Sequence, residues 1–164
     1  MIKKIISGGQ SGADLGALMA AKKYGLETGG VMPNGFITQG GTQPQYAKRF
    51  GMTEHASPKY APRTYENVKN SDATLRIAAD FNSSGEKCTL AAIVQYKKPY
   101  LDIDVNKPKA HADVITWLER HNVQTLNVAG NSERTYCGMT GETIDYLTQL
   151  FSKMGLSEVS EITE

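Results

Sequence analysis

Short apolar runs alternate along the chain with longer stretches whose apolar residues recur at helical spacing. The first run, Ile2 to Ile6, leads into Ser7-Gly8-Gly9-Gln10-Ser11-Gly12. A helix is predicted from about Ala13 to Tyr24, where Leu15, Leu18, Met19 and Tyr24 share a face and Gly25 supplies the stop. Glu27 to Met32 reads as a second strand, Pro62 to Ser71 as a helix and Ala73 to Ala78 as a third strand. The polar loop Asp80 to Lys87 opens a helix carrying Leu90, Ile93, Val94 and Tyr96. A strand over Pro99 to Val105, a helix over Pro108 to His121 and a strand over Gln124 to Ala129 follow. After the loop Gly130 to Met139, a last helix runs from about Thr140 to Met154. This alternation predicts βαβ units in a three-layer, Rossmann-like α/β fold, with a mainly parallel sheet of five or six strands. Pro33 to Lys59, rich in Gly, Pro, Thr and Gln, shows no such pattern and is expected as a long irregular, functional segment.

A length of 164 residues suits one domain, expected over residues 1–156, with an acidic and frayed tail over 157–164. Trp117 falls on the apolar side of its helix with Val114 and Leu118 and reads as core. Net charge is +1, which argues against a general attraction to nucleic acid or to an acidic membrane. No apolar run reaches membrane-spanning length or follows the first lysines as in a signal peptide. Cys88 and Cys137 lack metal-type spacing and are expected as reduced thiols. The expected location is the cytoplasm of a bacterium, or of its host if the chain is phage-encoded.

Three polar, glycine-containing loops follow predicted strands, and in an open parallel sheet such loops collect at one edge, where ligands bind. In the first, Gly8, Gly9, Gln10 and Ser11 expose backbone amides to an anion before a helix N-terminus. The loop lacks Gly-Lys-Ser/Thr, which argues against a P-loop nucleotidase. No acidic residue closes the second strand, which argues against ordinary NAD binding. Ser11 and Asp14 also resemble a capping box, and Asp14 would repel a phosphate seated directly on the loop, so its ligand role would be toward a hydroxyl or a ring N–H. Arg63 and Asn67, four apart on one helix face, offer a cation and a base- or sugar-reading amide. Arg76 interrupts a buried strand and needs an anionic partner, either a carboxylate such as Asp102 or a ligand phosphate. In the second loop Ser84, Gly85 and Thr89 are candidates for a second phosphate. Asp102 and Asp104 share a strand face and suit hydroxyls, a ring or a cation. Asn127 and Gly130 border the third loop. The histidines are scattered, and no catalytic constellation or metal set is predicted.

Ile5 to Asp14, Thr28-Gly29-Gly30-Val31-Met32-Pro33-Asn34-Gly35, Arg63 to Leu75, and Leu126-Asn127-Val128-Ala129-Gly130 with Ser132-Glu133 occur in order. These blocks resemble those of the molybdenum-cofactor carrier proteins, relatives of the Lonely Guy phosphoribohydrolases and the DNA-processing A proteins. The resemblance implies a Rossmann-like fold, a ligand at the strand carboxyl ends and assembly into a dimer or tetramer. Two departures stand out: Ser83-Ser84-Gly85-Glu86-Lys87-Cys88-Thr89 replaces the relatives' Gly-Gly-Thr turn, and the Lonely Guy glutamate motif is missing. The expected function is therefore non-catalytic binding of a phosphorylated nucleotide-like or pterin-like molecule. The ligand would be molybdenum cofactor held by a carrier, or a signalling nucleotide sequestered by a sponge. The alternative is a nucleoside-phosphate or ADP-ribose-type glycosidic hydrolase using Asp14, Glu86 or Glu133.

Overall fold

The computed structural model describes residues 1–160. Strands β1 (Lys4–Ile6), β2 (Glu27–Met32), β3 (Ile37–Thr38), β4 (Gly41–Thr42), β5 (Met52–Glu54), β6 (Ala73–Ala78), β7 (Tyr100–Asp104) and β8 (Thr125–Gly130) are joined through six helices. These are α1 (Ala13–Lys23), α2 (Tyr46–Phe50), α3 (Tyr60–Lys69), α4 (Ser84–Tyr96), α5 (His111–Arg120) and α6 (Met139–Lys153). Six strands form one parallel sheet in the order β5-β2-β1-β8-β6-β7. β3 and β4 make a separate antiparallel hairpin. The expected three-layer Rossmann-like fold is borne out, at the upper strand count. No helix among the described residues is long and apolar enough to cross a membrane.

The parallel central strands bury both faces, which explains why β6 is buried at every position despite carrying Arg76. One face is covered by α1, α5 and α6 around Leu75, Ile77, Leu126, Val128, Leu147 and Phe151. The other is covered by α3 and α4, where Val68, Ala92 and Ile93 pack with Tyr65 and Tyr96. Trp117 lies partly buried against the first core.

The Pro33 to Lys59 segment differs from its expectation. It holds the β3–β4 hairpin, α2 and the edge strand β5. Its order comes from three apolar anchors, Tyr46, Phe50 and Met52, which pack on Leu18 and Met32 as a second core cluster. A five-residue helix is too short for helical spacing to show against a polar background. Several ends also shift. α5 starts at His111 rather than Pro108, because Asp104 and Lys107 close a turn after β7. At the C-terminus the Val159 N–H donates to the Lys23 carbonyl at 2.9 Å and Glu158 pairs with Lys23 at 3.3 Å. The tail expected to fray is thus anchored as far as Val159, and residues 161–164 lie outside the described residues.

Candidate functional site

The chain leaves β8 for α6 on one face of the sheet and leaves the neighbouring β6 for α4 on the other. Their carboxyl ends therefore diverge, and a crevice opens between them. It forms a cavity of about 340 Å³. Of the residues singled out from sequence, the cavity brings together Gln10, Ser11, Asp14, Arg63, Ser84, Gly85, Thr89 and Gly130. Gly8, Gly9, Asn67, Asp102 and Asn127 are not part of its lining.

The first loop is built differently from an open phosphate cradle. Asp14, in the first turn of α1, folds back so that its carboxylate accepts the Gln10 N–H at 3.3 Å. The Gly8 N–H also faces it. Other amides are occupied too: the Gly12 N–H donates to Thr140 Oγ1 at 2.9 Å and the Ala13 N–H to the Asn131 carbonyl at 3.1 Å. The loop thus wraps an anion of its own. Ser11 does not cap α1; its hydroxyl accepts the Glu133 N–H at 3.3 Å and ties the first loop to the third. Gly9, at φ +71°, turns away from the cavity, and a Cβ there would lie 2.8 Å from Met32 Sδ. A Cβ on Gly8 would collide with the Arg63 guanidinium, which lies over the loop with Nη1 3.7 Å from Asp14 Oδ2.

The remaining candidates have structural partners. Asn67 accepts the Val31 N–H at 2.8 Å and donates to the Val31 carbonyl at 3.0 Å, pairing with β2 as another strand would. Asn127 donates to Thr74 Oγ1 at 3.2 Å inside the sheet. Arg76 makes two 2.7 Å bonds to Asp102, donates to the Glu86 carbonyl at 3.1 Å and lies between the Phe81 and Tyr100 rings. Asp102 is therefore the protein partner of Arg76. Glu133 holds the Gly138 and Thr140 amides at 2.7 Å at the start of α6, which keeps its carboxyl below the usual range.

Glu86 emerges as a cavity residue. It is 2% exposed at the first turn of α4. Its Oε2 accepts from Ser83 Oγ at 3.2 Å and from Asn131 Nδ2 at 3.4 Å, while Oε1 has no partner. Burial, and then the Asp14 carboxylate, push Glu86 up to about 7. Burial likewise raises Asp14 to about 6, against the pull of Arg63 and of the Gln10 and Gly8 amides. Ser83-x-x-Glu86 carries a capping-box spacing that marks this position in the sequence. Glu86 was named from sequence only for the hydrolytic alternative, and Asn131 was not singled out. It binds the Ala79 and Asp80 amides at 2.8 and 3.0 Å and locks the second loop to the third. Gln39 brings the hairpin to the cavity, and Gln10 Nε2 donates to the Ile37 carbonyl at 3.0 Å to hold it there.

Chemically, the cavity offers Arg63 as a cation, hydroxyls and first-turn amides at α4, and two carboxyls that ionise near neutrality. Helix starts leave N–H groups without intrahelical acceptors and favour negative charge. A Cβ on Gly85 would meet nothing within 4 Å, so the approach to this turn is open. Among the described residues, no three His, Cys, Asp or Glu side chains cluster closely enough to hold a metal ion.

Residues 5–151 match the circularly permutated YpsA SLOG family. The fold is similar to the crystal structure of a protein from Syntrophus aciditrophicus SB, provisionally named a molybdenum carrier protein. The TM-score is 0.82 at 36% identity, covering 92% of this chain and 94% of that one. No curated protein matches the chain. The resemblance read from the sequence blocks is borne out by these matches. The chain belongs to the circularly permutated YpsA SLOG family, with a ligand-binding role at the level of the family.

Proposed function

We propose that the chain binds and retains a phosphorylated nucleoside-like or pterin-like molecule in the crevice between β6 and β8. The observation that carries this reading is a set of buried polar atoms without partners. Gln10 Oε1, Arg63 Nε and Glu86 Oε1 all belong to residues lining the cavity. Each such atom costs about 1–3 kcal/mol unless something supplies its partner, and a polar ligand seated against these side chains supplies partners once they rotate toward it. The phosphate is placed at the first turn of α4, beside Ser83, Ser84 and Gly85, with Arg63 contributing charge-assisted bonds. It is not placed on the first loop, whose amides serve Asp14. Glu86 borders that seat, and the ring or sugar then faces Gln10 and Asp14. Molybdenum cofactor, a pterin bearing a phosphate, falls within this class as cargo, and so does a signalling nucleotide.

One observation favours a second reading, glycosidic hydrolysis. Asp14 and Glu86 share the cavity and both ionise near neutrality, the range useful for acid–base work. In that case Glu86 would protonate the departing base while water attacks the sugar carbon and passes its proton to the Asp14 carboxylate. One experiment separates the readings. The purified protein is incubated with AMP, ADP-ribose and a pterin phosphate, desalted, heat-denatured, and the supernatant identified by mass spectrometry. Intact compound at one equivalent supports retention, and free base with sugar phosphate establishes hydrolysis instead. No retained or cleaved compound overturns both.

A further inference from the structure

The charged side chains in the cavity and directly behind it do not balance. Asp14, Glu86 and Asp102 supply three carboxyls, while Arg63 and Arg76 supply two guanidiniums. Arg76 is committed to Asp102 through two 2.7 Å bonds, and Arg63 lies over Asp14. Glu86 is the carboxyl left over. The groups that face it are Asp14 from α1, Arg76 from β6, the Ser83 hydroxyl and Cys88 on its own helix, and the Asn131 amide from the loop after β8. Arg63, on α3, is turned to Asp14. None of these gives Glu86 Oε1 a hydrogen bond, although the side chain is almost wholly buried.

We propose that Glu86 is held as a neutral carboxylic acid whose Oε1–H donates to an unprotonated phosphoryl oxygen seated on the first turn of α4. This rests on the phosphate placement proposed above and sharpens it into a selection rule. An ionised carboxylate at this position would repel a phosphate, whereas a carboxylic acid adds a donor to those of Arg63 and the α4 amides. The corner of the cavity beside Glu86 then accepts an anionic oxygen and disfavours ammonium or amide donors. Ligand capture is coupled to one proton, because the bound anion holds the Glu86 proton more tightly than the empty site does. Burial and the Asp14 carboxylate already act in that direction in the empty protein.

Two measurements test this. In the free protein, carboxyl-carbon NMR of glutamate-labelled material follows Glu86, assigned as the resonance that Glu86→Gln removes. A midpoint above pH 6 is expected, and a midpoint below 5 overturns the proposal. Calorimetry with ADP-ribose, whose phosphates do not titrate between pH 6 and 9, then reads the coupling. The wild-type affinity is expected to hold up to about pH 7 and to fall about tenfold per pH unit above it. Heats in buffers of different ionisation enthalpy should show uptake of close to one proton at pH 8. Above pH 7, where Asp14 is already ionised, Glu86→Gln should bind with an affinity independent of pH. A pH-independent wild type, or no proton uptake, overturns the coupling even if the variant does not fold. Absence of ADP-ribose binding at pH 6 overturns the phosphoryl placement, while the NMR midpoint still decides the state of Glu86.

Discussion

The Arg63 guanidinium occupies the space that Gly8 leaves by having no side chain: a Cβ on Gly8 would collide with Nη1 and would lie 2.9 Å from Asp14 Oδ2. The glycine serves an internal ion pair, and the pair closes the floor of the cavity. Because the obstructing atom is the end of a flexible side chain, Gly8→Ala should cost only about 1–2 kcal/mol of stability. Arg63 must move, however, and affinity for any phosphorylated ligand should fall at least tenfold. Urea unfolding and calorimetry on the same variant check both halves. Unchanged affinity would separate Arg63 from ligand binding.

Two further glycines at the crevice should respond in opposite ways. Gly130 ends β8, and a Cβ there would collide with the Ile77 carbonyl and lie 2.7 Å from Ala13 Cβ. Backbone and a packed methyl cannot yield, so Gly130→Ala should destabilise by about 3 kcal/mol or more. Gly85 meets nothing within 4 Å and lies in the first turn of α4. Gly85→Ala should therefore leave stability unchanged or raise it by up to about 1 kcal/mol. Its methyl group nevertheless enters the proposed phosphate seat, so affinity should drop. Thermal unfolding combined with a binding assay distinguishes the two positions.

The strand–helix alternation was legible because β1 and β6 are short, mainly apolar runs that lead into polar glycine-containing loops, and β2 and β6 fall at their expected limits. The order of the sheet was not legible. β8 lies between β1 and β6 through long-range pairing that leaves no local mark, and this insertion creates the crevice. The site was half legible. Gly85, Thr89 and Arg63 carry sequence features that point to an anion, and all three line the cavity. Asn67, Asp102 and Asn127 carry equally suggestive side chains but have partners within the fold. Polar type reveals the capacity to bond, whereas the choice between ligand and protein depends on distant residues. Asp14 makes the same point, since its turn back onto Gln10 converts a presumed cradle into a filled one.

The Arg76–Asp102 pair gives a prediction of independence. Arg76 is 4% exposed and its Nε and Nη2 both donate to the same carboxylate, whose side chain is 34% exposed. Asp102→Asn leaves a buried guanidinium short of its counter-charge and should cost about 2–4 kcal/mol. Because Asp102 does not line the cavity, the folded fraction of the variant should bind ligand with wild-type affinity. A clear loss of affinity in folded Asp102→Asn would return this residue to the ligand site.

The raised carboxyls also govern stability. Glu86 ionises at about 7 when folded, against an ordinary value of 4.5, and Asp14 at about 6 against 3.8. The folded state therefore binds these protons more tightly than the unfolded chain does. Their contribution is fully present below the ordinary values and is lost as pH rises through about 6 for Asp14 and 7 for Glu86. For Glu86 the difference between pH 4 and pH 8 is on the order of 3 kcal/mol. Glu86→Gln removes this titration and keeps a neutral group that can still accept from Ser83 and Asn131. It should be more stable than wild type at pH 8 and no more stable at pH 4.5, so the two stability curves cross. Comparing the pair by urea unfolding at each pH cancels the titration of groups that do not interact with Glu86, and at pH 8 Asp14 is ionised in both proteins. Parallel curves would mean that Glu86 ionises in the native state as an ordinary carboxylate.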